Sequence, residues 1–415
     1  MLTEFFESAA RIRALRDGPA GALVEGFAQA LSHAGYAEIT GRRHLRAAEH
    51  FIYWADRQGI PIRRLAAQAL ERFGRHRRRC HCPRSGQAGR VKGLPGARVF
   101  LRPRHRAGVI RSPVVESPGQ APPLLRAFGQ WMRQHRGTSE STLANYARPI
   151  RALLRRLGEE PNKFEARGLR HFVLEASRRG GWAGAKTCTT ALRMFLRFLI
   201  AEGRCALGLE AAIPVLAHWR LASLPRYLPP DDVERLIASC DPASPVGRRD
   251  RAILLLLARL GLRAGDIVQL RLDDLDWQSA WIHVWGKGRR HTRLPLTHEV
   301  GQALVAYLEA GRPRTETEAV FVRCRAPFDA FRSHCAVSVI VDRALRRAGV
   351  RRPSRGAAHL LRHSVATAML RQGASLQDVA VLLRHRSIET TQIYAKVDLP
   401  ALQQIAQPWP EVPPC

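Results

Sequence analysis

Arginine, lysine, histidine and tyrosine recur in one order through the C-terminal half of this 415-residue chain. Arg263 stands in Gly261-Leu-Arg-Ala-Gly-Asp266, and Lys287 in Gly286-Lys-Gly288. His359 and Arg362 share His359-Leu-Leu-Arg-His363. His385 and Tyr394 close the series in Leu382-Leu-Arg-His-Arg-Ser-Ile-Glu-Thr-Thr-Gln-Ile-Tyr394. Cleavage of a phosphodiester by a side-chain oxygen needs these residue types. A hydroxyl is a weak nucleophile, so its proton must be accepted. The five-coordinate phosphorus transition state carries extra negative charge on its non-bridging oxygens. Guanidiniums answer that charge, because they stay protonated and bind two oxygens in a planar fork. The leaving oxygen needs an acid. The minimal set is one Tyr, two Arg, one or two His and a Lys.

The bulk composition agrees with a phosphate-rich partner. Lys and Arg number 67 against 35 Asp and Glu, a net charge of +32. Such an excess concerns partners rather than the fold, and nucleic acid is the commonest one. No apolar run approaches the ~20 residues of a membrane span; the longest, Ala252 to Ala258, stops at Arg259. The N-terminus carries Glu4 and Glu7 and no basic stretch, so no signal peptide is expected, and the chain should act in the cytoplasm on the nucleoid. Eight dispersed cysteines do not make a disulfide framework. Cys80-His-Cys82, with His76 and His105 near, has ligand chemistry but lacks a second Cys pair at zinc spacing, so no metal site is expected.

The length implies two or three domains. Residues 1–74 read as an N-terminal helical region, with Leu45, Ala48, Ile52 and Ala55 at helical spacing and Thr40 as a cap. Residues 75–121 begin with an Arg-, Gly- and Pro-rich stretch free of acids up to Arg111. They read as a linker or a basic arm following DNA phosphates. Residues 122–206 form a second helical unit, whose helix from Thr138 puts Leu143, Tyr146, Ile150 and Leu153 on one face. Its Lys186, Arg193 and Arg197 are the DNA-binding candidates there, and Trp131, Trp182 and Trp219 read as core. Residues 207–228 are a linker. Residues 229–400 open with Pro229-Pro-Asp-Asp, a helix start, and are mostly helical around one strand pair, Trp281–Trp285 and Thr292–Leu296. Residues 401–415 form a tail. The fold class is mainly α with a small antiparallel sheet.

Local spacing places the chemistry. His359 and Arg362, three apart, share one face at a helix start. Arg263 follows Gly261 at a turn, and Asp266 is placed to orient a neighbour. Lys287 sits at a hairpin tip, with Arg289 and Arg290 beside it as further DNA-binding candidates. Ser387 would cap a helix carrying Tyr394. His283 and His291 read as structural, and His363 as a residue that packs or bonds locally.

With these strings in view, residues 229–400 resemble the catalytic domain of the tyrosine recombinase, or phage integrase, family. Residues 122–206 resemble its helical core-binding domain, and residues 1–74 would be a further SAM-like DNA-binding region. The resemblance implies that Arg263 and Arg362 bind the scissile phosphate with help from His385, and that His359 handles the proton of Tyr394. Lys287 would protonate the leaving 5′ oxygen, and Asp266 supports the site. It implies a 3′-phosphotyrosyl link, no metal and no cofactor. Double-stranded DNA and a tetramer on two DNA sites are the implied partners, with no membrane. Arg384 departs from the family, which has Gly before this His; the turn should change while His385 stays. The Gln407-Pro-Trp-Pro ending and the extra N-terminal region resemble a transposon-borne subgroup whose recombinases occur in gene trios, which adds sister recombinases as partners. Two other functions share parts of this pattern: type IB topoisomerase-like DNA relaxation, and a catalytically silent DNA-binding accessory factor.

Overall fold

The computed structural model describes residues 1–18, 20–61, 65, 67–77, 80, 82, 94–101, 122–216, 224–286, 291–351, 356–385, 387–398 and 402–404. The chain divides into two units: Met1–Ile110 with Leu221–Cys415, and Arg111–Arg220. Among the described residues, no helix is long and apolar enough to cross a membrane.

Among the described residues, the first unit holds three hydrophobic clusters: one in the N-terminal part, one around residues 228–361 and a smaller one around Tyr394. The N-terminal part contains α1 (Ala9–Arg16), α2 (Gly21–His33), α3 (Glu38–Arg57) and α4 (Ala67–His76). Ser8 caps α1, its Oγ accepting from the Arg11 amide at 3.3 Å. The expected stripe on α3 is buried, with Leu45 and Ala48 fully covered. Thr40 is not the cap: α3 begins two residues earlier, with Glu38 in its first turn, where an acid suits the positive end of the helix dipole. The linker reading of 75–121 also needs correction. Residues 94–101 are helical, and Ala97, Phe100 and Leu101 lie in the core of α1–α4. Phe100 meets Phe27 edge to face at 5.1 Å. An apolar triad inside a basic stretch was enough to draw that segment inward.

The second unit is helical: α5 (Pro123–Arg136), α6 (Glu140–Leu157) and α7 (Ala166–Ala201). Ser139 caps α6. Gly181, at φ +62° and ψ −176°, breaks α7 into two helical stretches. The second of these ends at Ala201. Leu192, Phe195, Leu196 and Leu199 are fully buried along it.

The rest of the first unit carries α8 (Pro230–Ala238), α9 (Pro245–Ala258), α10 (Ala264–Gln269), α11 (His298–Ala310), α12 (Cys335–Arg347), α13 (Ala357–Arg371) and α14 (Leu376–Leu382). Pro230 takes the first helical position of α8, where its missing N–H costs nothing. Three short strands, β1 (Leu275–Asp276), β2 (Trp281–Trp285) and β3 (His291–Pro295), form one antiparallel sheet in the order β1-β2-β3. Ile282 pairs with Leu294 on its buried face. The all-apolar stretch of α9, Ala252 to Ala258, runs through the centre of this core.

Candidate active site

The chemistry converges on the turn after α14. Leu383 and Arg384 expose carbonyl oxygens there, and both candidate clamp arginines donate to them. Arg362, on the second turn of α13 and 4 % exposed, donates to Gly261 O and Leu383 O. Arg263, the residue before α10, donates from Nη2 to Leu383 O at 3.4 Å and Arg384 O at 3.2 Å. The two guanidiniums are thus pinned side by side before any ligand arrives. Burial and the charges of Arg263 and Arg384 push Arg362 down to about 9. An anion placed here would relieve that repulsion.

Gly261 is a real constraint on this arrangement. It holds φ +57°, and an added Cβ would stand 2.8 Å from Leu383 Cδ2. A side chain there would be strained by the left-handed backbone and would push on the Leu383 and Val365 side chains.

Arg384 adopts the left-handed conformation, φ +51°, that glycine supplies at low cost. Its Nη2 reaches Asp266 Oδ2 at 2.5 Å, and both side chains are 7 % exposed. The same Oδ2 accepts from the Arg263 amide at 2.9 Å. Asp266 therefore ties the backbone of Arg263 to the turn at Arg384. His385 follows this turn, its amide donating to Ala380 O at 3.0 Å.

The histidines are held neutral. His385 sits near 4, mainly through burial and then through Arg362 and Arg263; its Nδ1 lies 2.8 Å from Thr391 Oγ1. His359 is solvent-exposed at the start of α13. Its ring nonetheless titrates below the ordinary value, first through partial desolvation in the site and then through Arg362, Arg263 and His334.

Tyr394 is buried, 2 % exposed, among Ala366, Leu370, Val379, Leu383 and Val397. Burial pushes its phenol up to about 12. Its hydroxyl lies 2.7 Å from Nδ1 of His363, whose own pKa is pushed down to about 4, chiefly by burial. Two expectations change here. His363 is the hydrogen-bond partner of the nucleophile candidate, and among the described residues no such bond joins Tyr394 to His359. Nor does Ser387 cap a single helix carrying Tyr394. It caps a 3-10 turn, Ile388–Thr390, and Tyr394 lies on the next one, Gln392–Val397.

Lys287, Arg289 and Arg290 lie outside the described residues, as do Trp219, His105 and the tail beyond residue 404. The strand ends that flank the Lys287 loop are described: His283 Nδ1 and His291 Nε2 stand 2.7 Å apart, their rings stacked at 4.8 Å.

In the second unit the three DNA-binding candidates divide. Lys186 and Arg197 are exposed. Arg193 is half-buried and donates to Ile213 O at 2.9 Å and Pro214 O at 3.0 Å, tying α7 to the chain that leaves the unit. Helical spacing placed it off the apolar stripe, but the exit segment folds back over that position. Trp182 is not core either: it is 45 % exposed, with the Lys186 ammonium 5.2 Å from its ring centre.

Residues 226–399 match the phage integrase family, and residues 125–203 match the phage integrase N-terminal SAM-like domain. A Sinorhizobium fredii protein named as an integrase/recombinase, y4rA, is 37% identical over 398 residues, covering 95% of each chain. The chain belongs to the phage integrase family of tyrosine recombinases. Another relative of this recombinase is the tyrosine recombinase XerD of Listeria monocytogenes, 30% identical over 66% of this chain and 94% of that one. The fold is similar to that of the XerH site-specific recombinase bound to a palindromic difH substrate. That match has a TM-score of 0.55 and 21% identity, and covers 69% of this chain and 85% of that one. Tyrosine recombinases break and rejoin DNA, and the site described above lies within the span of the family match.

Proposed function

We propose that the chain is a site-specific recombinase that breaks and rejoins duplex DNA through a 3′-phosphotyrosyl intermediate on Tyr394, for integration or transposition. The observation that carries this reading is the paired guanidiniums of Arg263 and Arg362 on the Leu383 carbonyl, beside His385 and the buried Tyr394. In catalysis the two arginines take the non-bridging oxygens of the scissile phosphate, a preorganised positive site that needs little rearrangement. His385, with Nδ1 occupied by Thr391, offers its other ring nitrogen to the same phosphate.

Tyr394 Oη attacks phosphorus. The Oη–P bond forms, the bond from phosphorus to the 5′ oxygen breaks, and Lys287 gives that oxygen its proton. A neutral histidine accepts the phenol proton. His359 stands beside Arg362 on α13 for this task, and His363 holds the hydroxyl in the resting arrangement. A phenol pushed up to about 12 stays protonated at neutral pH, so attack requires such a base. The phosphotyrosyl link conserves the bond energy, so the exchange needs no nucleotide. A partner strand's 5′ hydroxyl reverses it. Four protomers on two sites, with sister recombinases among them, would exchange strands through a Holliday junction in the cytoplasm on the nucleoid. Residues 122–206 and the exposed Lys186 and Arg197 would grip the duplex.

Tyr394→Phe tests the reading. The variant should bind its DNA site as the native chain does and form no covalent adduct on a nicked suicide substrate. An adduct formed by the Phe protein refutes the assignment. Site-independent relaxation of supercoiled DNA by the native chain would instead favour a topoisomerase.

A further inference from the structure

We infer that His50, His76, Cys80 and Cys82 form a structural zinc site that staples the N-terminal helical region at the point where the Arg-rich stretch begins. The four donors come from three places: the middle of α3, the last residue of α4 and the Cys-x-Cys pair just beyond it. Their ligand atoms all lie within 4.8 Å of one another. His50 Nε2 is 3.2 Å from Cys80 Sγ, and His76 Nε2 is 3.4 Å from Cys82 Sγ.

The two His–Cys separations are close to those around one tetrahedral ion, and the wider pairs, within 4.8 Å, would have to draw in by up to about 1 Å on binding. Bonds of about 2.3 Å to sulfur and about 2.0–2.1 Å to nitrogen place neighbouring donors roughly 3.3–3.8 Å apart. Two thiolates and two imidazoles with no carboxylate suit zinc and disfavour magnesium or calcium. Four protein ligands leave no open position, which is the structural rather than the catalytic form.

The surroundings support the ligand set. The Cys82 amide donates to Cys80 Sγ at 3.3 Å, the kind of outer bond that orients a metal-bound thiolate. The fully buried Phe73 packs edge-on against the His50 ring at 5.0 Å, and Trp54 lies 5.9 Å from the His76 ring. These aromatic contacts keep both imidazoles in place. Spacing alone missed the site because His50 precedes Cys80 by 30 residues and only the packing of α3 on α4 delivers it. A small helical module would gain a cross-link between two of its helices and the chain that leaves them.

The test uses the full-length chain. Metal content is measured by mass spectrometry on the protein as purified, and the chelated protein is then titrated with Co²⁺. The expected result is a single zinc per chain. The cobalt form should show a thiolate-to-cobalt charge-transfer band and the intense visible bands of a tetrahedral centre. Cys80→Ser with Cys82→Ser should lose both, while Cys82→His should keep the metal and weaken the charge-transfer band. Should the double Ser variant fail to fold, the cobalt titration of the native chain decides alone. Native protein without stoichiometric zinc and without the cobalt band overturns the proposal. So does zinc retained by a folded double Ser variant, or a Cys80–Cys82 disulfide in anaerobically purified protein.

Discussion

Replacing Arg384 by Gly sets two effects of opposite sign against each other. The left-handed backbone at φ +51° costs a residue with a Cβ roughly 1–2 kcal/mol, which glycine would recover. Against this stands the buried ion pair with Asp266, 2.5 Å long with both side chains 7 % exposed. Removing one partner of such a pair costs about 3–5 kcal/mol, because the other charge is left without its counter-ion. The net expectation is a loss of about 1–4 kcal/mol. Two details place it in the lower half of that range. Asp266 keeps the Arg263 amide as a donor after the change, and Arg384 Nε and Nη1 have no hydrogen-bond partner to lose.

Urea unfolding of the Arg384→Gly chain, following the transition of the core around α9, measures the net effect. Asp266→Asn and the double variant complete a cycle, and a coupling of about 0.5–3 kcal/mol is expected for residues in direct contact. A Gly variant as stable as the native chain, or more stable, would refute the reasoning: backbone strain would then outweigh the ion pair, and Asp266 would not be what holds the turn. The turn matters because its Leu383 carbonyl receives both clamp arginines, so covalent adduct formation should fall along with stability.

Arg197→Ala and Lys186→Ala should each lower the magnitude of the salt slope of DNA binding by about one, as for phosphate contacts. Arg193→Ala should leave that slope unchanged and lower the melting temperature of the second unit, because its guanidinium serves the Ile213 and Pro214 carbonyls. Filter binding over a salt series, with thermal unfolding, separates the two. Stability should also fall in acid. His363 and His385 titrate near 4 in the folded chain against about 6.5 when unfolded. The unfolded chain therefore binds protons first, so their contribution is complete above pH ~6.5 and is lost as pH falls toward ~4. Thermal unfolding across that window should show the decline, and His363→Gln should flatten it; an unchanged slope would mean that the partly buried ring of His363 does not carry this dependence.

What could be read ahead of the structure divides along physical lines. The helices of both units followed from apolar spacing, because one face of each is buried: Leu45, Ala48 and Ile52 on α3, Leu192, Phe195 and Leu199 on α7. The strand pair followed from its composition, and Ile282 and Leu294 do face the core. Arg263, Arg362, His385 and Tyr394 could be proposed from residue type and order, since phosphate chemistry admits few substitutes, and the fold brings them to one turn. What stayed hidden depends on contacts distant in sequence. The Tyr394 hydroxyl bonds a histidine 31 residues away, and spacing gave no reason to prefer His363 over His359. Arg193 is off the apolar stripe by every local measure, yet a segment 20 residues later closes over it. Arg384 shows the same limit from the other side. The family resemblance marks a residue unusual at its turn, but only the fold supplies Asp266, 118 residues earlier, as the charge that keeps it there.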